Sequence, residues 1–376
     1  MFIPPFCPNP HCPYHEQKTY DDTWYSHNGF YSTLSYGEVP RYKCRHCRKG
    51  FSMKTFHLDY YVKIRCDYPL IFSYLVSSAG TRDIARALSV STEVVQNRVA
   101  RLGRQCMAVH TKLMSRVTVE EDFAADGFES FCYSQYFPNN IHLLIGRESL
   151  CAYYANAVTI RRKGRMRKDQ KKKREELEKL WKPDRGGIGK SFKDLLGEMK
   201  GYFERMKRER ITLYTDEKYE YRKAISDREE FRKMREEGTL IHNRTSSRRA
   251  RTVANPLFPV NYIDREIRKG VANHHRETVQ WAKDMSEMMN RLLIYLVYHN
   301  LKMPNRVKEE DNDKRVHAEL AGVSKESIDR EWSDVFKARR FLSHHSIPEF
   351  WREIWFGLLR TPLDLRGGYR PKYLAM

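Results

Sequence analysis

Two groups of residues in this 376-residue chain have the type and spacing to do chemistry. The first is Cys7-x4-Cys12 with Cys44-x2-Cys47, two close pairs separated by 31 residues. Two tight turns, each offering two thiolates to one side of an ion, are what tetrahedral zinc requires. His11, His15 and His46 stand nearby as substitute ligands, but four cysteines already close such a site. The second group is acidic. Asp126 closes the strand-like stretch VEEDFAAD and Asp216 closes the short apolar stretch ITLYTD. Carboxylates brought together on neighbouring strands, with one more from a packed helix, repel each other until divalent cations bind, so such a cluster implies metal. Two Mg²⁺ or Mn²⁺ ions roughly 3.5–4 Å apart activate water or a hydroxyl and stabilise the leaving oxygen at phosphorus. A lone aspartate at a strand end is commonly a cap or turn former. The weight therefore lies in the order of the elements around the two.

Those elements divide into four segments. Residues 1–60 predict a zinc ribbon: Pro8, Pro10 and Pro13 stiffen the first cysteine pair, the stretch 24–39 alternates aromatic and polar residues, and RYKCRHCRKGFS has the form of a zinc knuckle. Residues 61–115 predict a helix-turn-helix. An apolar helix over 66–79 precedes TRDIARALSVSTEVVQNRVARLGRQ, in which Ile84, Ala85 and Leu88 recur at helical spacing, Ser91 is a natural N-cap, and Val94, Val95 and Val99 resume the pattern. The second helix is expected to turn Thr92, Glu93, Gln96, Asn97 and Arg98 outward, toward base edges or phosphates.

From 116 the pattern becomes strand-like. A strand ends near Asp126, an aromatic-rich strand follows a turn, and IHLLIGRES with LCAYYANAVTI forms a third strand or a broken pair. A basic insertion covers about 161–210, headed by Arg161, Arg162 and Lys163. It holds 20 Lys and Arg against nine Asp and Glu, about half of the chain's +21. Most charge runs are solvated helix faces, but a block this one-signed suits contact with phosphates. Then come the strand with Asp216, a helix, the strand GTLIHNRTSS, and one long helical region from Asn261 to Asn300. Three strands, helices, strand with Asp, helix, strand, helix with acid predict a ribonuclease-H-like mixed sheet with helices, an α/β catalytic core over 116–305. Residues 306–376 read as short amphipathic helices that wrap DNA or a second subunit.

Composition narrows the partners. A charge of +21 favours a polyanion, and nucleic acid is the commonest one. No 18-residue apolar run exists to span a membrane, and no secretory signal pattern opens the chain. Cys66, Cys106, Cys132 and Cys151 are scattered and expected to be small buried hydrophobes, in keeping with a reducing compartment and cytoplasmic, nucleoid-associated placement. Clustered Arg and His with a late nucleophilic Tyr, as a tyrosine recombinase needs, are not evident.

The segments CRHCRKGFS, IARALSVSTEVVQNRV, ADGFESF, LYTDEKYEY and VNYIDREIRK, in this order over about residues 1–305, resemble insertion-sequence transposases that join a zinc ribbon and helix-turn-helix to an acidic-triad (DDE-type) domain. The resemblance implies DNA cleavage and strand transfer at element ends, a structural zinc, catalytic Mg²⁺ or Mn²⁺, double-stranded DNA as partner and at least a dimer. It matches Asp126 to the first acid and Asp216 to the second. The slot of the third acid, an acid followed by arginine at the head of the last catalytic helix, holds Asp264 before Arg265. Asp in place of Glu is a departure that leaves Glu266 and Glu277 as alternatives. Arg265, Arg268 and Lys269 would meet phosphates near the metals. Glu129, His242, His274 and His275 are expected to be structural. A DNA-binding regulator without chemistry and a decayed transposase are the other readings.

Overall fold

The computed structural model describes residues 2–16, 23–117, 120–275, 279–305 and 314–364. Strands β1 (Tyr25–Thr33), β2 (Gly37–Cys44) and β3 (Gly50–Ser52) form a three-stranded antiparallel sheet in the order β1-β2-β3. Its inner side is aromatic: Trp24, Tyr25, Tyr42, Phe51 and Phe56 pack with Cys7, Cys12 and Cys44 into a small core that Phe341 of the C-terminal segment completes. Trp24 stacks on Phe51 with ring centroids 5.6 Å apart. Few aliphatics are present, so aromatic faces and the cysteine turns do the work of a core.

Helices α1 (Tyr68–Val76), α2 (Thr81–Ala87) and α3 (Thr92–Met114) follow. Asp67 caps α1 by accepting from the Leu70 N–H at 2.9 Å, and Ser91 caps α3 by accepting from Val94 N–H, as expected. Helix α3 is longer than one recognition helix needs. From Arg98 to His110 every position but Ala100 is buried, as a helix enclosed on all sides must be. It packs against α9 (Met285–Lys302), where Gly103 is required: a Cβ there would fall 2.0 Å from Asn290 Oδ1.

The large sheet has five strands, β4 (Phe123–Phe131), β5 (Pro138–Gly146), β6 (Ala152–Thr159), β7 (Ile211–Asp216) and β8 (Leu240–Thr245), in the order β6-β5-β4-β7-β8. The first three form an antiparallel meander, whereas β7 runs parallel to β4 and β8 parallel to β7. Parallel neighbours need crossovers, and helices supply them: α4 (Lys168–Leu180) and α5 (Gly187–Phe203) before β7, α6 (Tyr219–Asp227) and α7 (Glu229–Glu236) before β8. Strand β5 is buried at every residue because both faces are covered. His142 hydrogen-bonds Ser191 of α5 at 2.9 Å, while its neighbour Leu143 lines a cleft with α8 (Phe258–Gly270) on the other face.

Two expectations are corrected and a third is filled in. Asp126 lies in the middle of β4, which runs unbroken through Gly127 and Phe128 to Phe131, so there is one strand where a strand, a turn and a second strand were read. The single long helical region is two helices, α8 and α9, because a short turn at Ala272–His274 intervenes. The C-terminal segment, read as short helices that wrap a partner, is helical and packed inward over its described residues 314–364. Its helices α10 (His317–Leu320), α11 (Lys325–Asp334) and α12 (Glu349–Trp355) pack on the chain itself. The Trp351 indole N–H donates to the Ala155 carbonyl at 2.8 Å, and the Gln105 amide of α3 donates to the carbonyls of Val335 and Ala338. One apolar core thus runs from Leu58 to Trp355 through the helical segment, the sheet and the C-terminal helices. No helix among the described residues is long and apolar enough to cross a membrane.

Candidate functional site

The four cysteines come from two turns. Cys12 N–H donates to Asn9 O at 3.0 Å, and Arg48 N–H donates to Cys44 O at 3.1 Å with Arg48 in the left-handed region at φ 61°. These bonds curl each turn around its thiols. Cys7 Sγ lies 3.5 Å from Cys47 Sγ, Cys12 Sγ lies 3.8 Å from Cys44 Sγ, and all four sulfurs lie within 4.8 Å of one another. A tetrahedron with metal–sulfur bonds of about 2.3 Å has edges of about 3.8 Å, so the four cysteines could bind a metal such as zinc. Burial drives the Cys7 thiol upward; burial pushes Cys47 the same way, but hydrogen bonds from Asn9 and the Lys49 backbone bring it down to about 7. His46 Nδ1 stands 3.9 Å from Cys12 Sγ. His15 is turned away, between the Cys7 carbonyl at 2.6 Å and Ser343 Oγ at 2.7 Å.

The second site is where β4 and β7 part. They pair as Phe123 with Leu213 and Ala124 with Tyr214. Carrying that offset two residues past the last pair sets Asp126 beside Asp216. Between the two carboxylates sits an ammonium: Lys218 Nζ is 2.9 Å from Asp126 Oδ1 and 3.3 Å from Asp216 Oδ2. The Tyr221 hydroxyl donates to the same Asp126 oxygen at 3.1 Å. Burial raises the pKa of Asp216, the charge of Asp126 raises it further, and Lys218 works against both. Burial opposes the charge on Lys218, but Asp126 and Asp216 outweigh it and its pKa is raised. Two carboxylates converging on one ammonium are oxygen donors of the type that hard divalent ions take.

Asp264 stands on the other wall. It lines a cleft of about 200 Å³ with Asp126, Glu129, Leu143, Arg251 and Arg268. Helical phase explains its place. Val260, Ile263 and Ile267 bury one stripe of α8, and Asn261, Asp264 and Arg268 share the cleft-facing one. Glu266 lies on another side, pairing with Arg265 at 3.3 Å; burial raises the pKa of Tyr262 and Tyr295, and the Glu266 charge adds to it. Glu277 is outside the described residues. The structure therefore brings Asp126 and Asp216 onto one cation and places Asp264 on the same cleft. It does not gather all three into one ligand cluster: among the described residues only the four cysteines form a group of three or more ligand side chains that close. The Asp264 carboxylate is paired with Arg268 at 2.8 Å.

The expected DNA contacts divide. Gln96 is exposed and Asn97 half-buried, but Arg98 is 4% exposed and is a correction. It donates to the Ile64 carbonyl at 2.6 Å and to Asn97 Oδ1 at 2.7 Å, so it ties α3 to the preceding loop and does not face outward. Arg161 is exposed yet forked onto Glu178 at 2.7 and 2.9 Å, Arg162 lies over the Tyr136 ring, and Lys163 is exposed. Arg265 and Lys269 are exposed, whereas Arg268 also donates to the Glu129 carbonyl at 3.2 Å. His242, His274 and His275 bond to Thr215, Ser130 and Ser78 hydroxyls at 2.8 Å each. Sequence reasoning missed Lys218, Tyr221 and Arg251. The signal for the first two lies in TDEKYEY, where a lysine follows the aspartate by two and a tyrosine by five.

Comparison with protein-family models finds none that matches the chain, and comparison with curated proteins finds no similar sequence.

Proposed function

We propose that the chain is a DNA transposase that cuts and joins element ends by metal-dependent, in-line phosphoryl transfer. The observation that carries this is the convergence of Asp126 and Asp216, from neighbouring parallel strands, on a single cation at 2.9 and 3.3 Å, at a cleft that also holds Asp264. The order of elements supports a ribonuclease-H-like core: three strands, two helices, the strand with Asp216, helices, a strand, and α8 with its acid. The crossing of α2 and α3 about the turn at Ser89, with Gln96 exposed, supports a helix-turn-helix.

In this mechanism Asp126 and Asp216 would hold the metal, and the Tyr221 hydroxyl fixes the orientation of Asp126. Arg251 and Arg268 in the cleft face an incoming phosphate. Bound Mg²⁺ or Mn²⁺ supplies activation of water or a 3′-hydroxyl and takes up charge on the leaving oxygen. The exposed Lys171, Lys172 and Lys173 of α4 contact the DNA backbone, which makes binding steeply salt-dependent. Zinc held by Cys7, Cys12, Cys44 and Cys47 would keep the ribbon folded for end binding, and holding two ends calls for at least two copies. One observation favours a regulator without chemistry: Lys218 and Arg268 already neutralise the carboxylates.

The test is cleavage of a plasmid carrying the gene's native flanking DNA, with Mg²⁺ or Mn²⁺, alongside a gel-shift measurement of end binding. The expected result is end cutting by wild type, lost in Asp126→Asn and Asp216→Asn with binding retained. Loss in Asp264→Asn as well assigns the third acid. Wild type that binds the ends and cuts with neither ion supports the regulator instead.

A further inference from the structure

We propose that Lys218 is the resident cation of the acid site, so that a divalent ion enters by exchange with its ammonium and not by filling a bare pair of carboxylates. The proposal rests on the metal-dependent reading above and adds to it a positioning residue that neither the motif nor the topology names.

The geometry is specific. Strand β7 ends at Asp216, and the Lys218 backbone N–H donates to Asp216 Oδ1 at 3.0 Å, which folds the chain back over the strand end just before α6 begins. The side chain then places Nζ within reach of three oxygens: Asp126 Oδ1, Asp216 Oδ2, and the Tyr221 hydroxyl at 3.2 Å. Beneath it the Tyr221 ring is fully buried and stacks on Phe192 with centroids 4.1 Å apart, a rigid floor. A Mg²⁺ or Mn²⁺ ion taking both carboxylates needs oxygens at about 2.0–2.2 Å and therefore the volume that Nζ fills. The two cations exclude each other. The lysine side chain is one-third exposed and carries a flexible four-carbon stem, so it has a path outward. Displaced, it stays tethered at the cleft that Asp126, Arg251 and Arg268 line, where a DNA phosphate provides a new anion. Without metal, the ammonium offsets one of two facing negative charges and keeps the strand ends together.

The experiment is direct Mn²⁺ binding to the full, zinc-loaded chain, followed by the electron paramagnetic resonance signal of free Mn²⁺ in titrations of wild type, Lys218→Met, Lys218→Arg and Asp216→Asn. Removing the competing cation should tighten Mn²⁺ binding by about tenfold or more in Lys218→Met. Lys218→Arg, which keeps the charge, should bind close to wild type. Melting temperatures give a second readout: Lys218→Met should melt lower than wild type without Mn²⁺ and gain more from its addition. Mn²⁺ affinity in Lys218→Met equal to or weaker than wild type, with a cooperative melt, overturns the exchange while leaving the metal site in place. If Mn²⁺ binding is the same in Asp216→Asn as in wild type, the acids are not a cation site, and the metal-dependent reading falls together with the exchange.

Discussion

The cysteine cluster and the acid cluster are built in opposite ways. The four sulfurs come from two turns of one small aromatic region, already close enough to share an ion. The carboxylates come from β4, β7 and α8, elements far apart in sequence, and each is held by a cation of the protein. A ligand set that closes on itself suits a permanent structural ion, and one kept apart by its own lysine and arginine suits an ion that comes and goes with substrate. Rigidity differs too. The ribbon has its own core, whereas the acid site opens onto a cleft between a helix and a strand.

The largest effect expected is on the ribbon. Cys44→Ser, or zinc removal by a chelator, should unfold residues 2–56 at a cost of about 10 kcal/mol in apparent metal-linked stability. The core from Leu58 to Trp355 should stay folded, because its apolar cluster is distinct from the ribbon's, which draws only Phe341 from outside the N-terminal region. Limited proteolysis checks this: cuts confined to the first 56 residues sharpen the contrast, and collapse of the whole chain breaks it. Asp216→Asn should instead lower metal-dependent cleavage by at least about 100-fold without loss of fold, measured by rate alongside circular dichroism. Arg98→Ala should cost about 2–3 kcal/mol of stability in urea denaturation, since it leaves the Ile64 carbonyl without its charged donor. Gln96→Ala should leave stability unchanged and weaken end binding. Acidification gives the smallest change per group. Burial holds His142 at about 3, His274 at about 3 and His110 at about 4. The unfolded chain binds protons there from about pH 6.5 downward and the folded chain does not, so stability is full above 6.5 and falls below it. The slope is at most about 1.4 kcal/mol per histidine per pH unit. Urea midpoints between pH 7.5 and 5 measure it, and a flat profile contradicts the buried neutral state.

What could be read from the residues depended on distance along the chain. Cysteine spacing, the Ser91 cap and the strand ending at Asp216 are local, and each stands where its pattern places it. The residues around Asp126 read as a strand end followed by a turn, yet pairing with β5 carries the strand on to Phe131. Arg98 was legible in principle. It follows Val95 by three and precedes Leu102 by four, on the buried stripe of α3, but a charged side chain suggested solvent. The ammonium was legible only beside Asp216, where TDEKYEY sets Lys218 two residues on; its reach to Asp126, 92 residues away in the chain, was not. The division between Asp264 and Glu266 needed the phase of α8 against β4 and β5, which only packing reveals.

The most direct test is a crystal of the chain grown with Mn²⁺ and examined for the anomalous signal of the ion. The account predicts a peak between the Asp126 and Asp216 carboxylates with Lys218 Nζ moved away from both. Mn²⁺ absent from that position in a crystal that binds it elsewhere, with Lys218 still bridging the two aspartates, would contradict it.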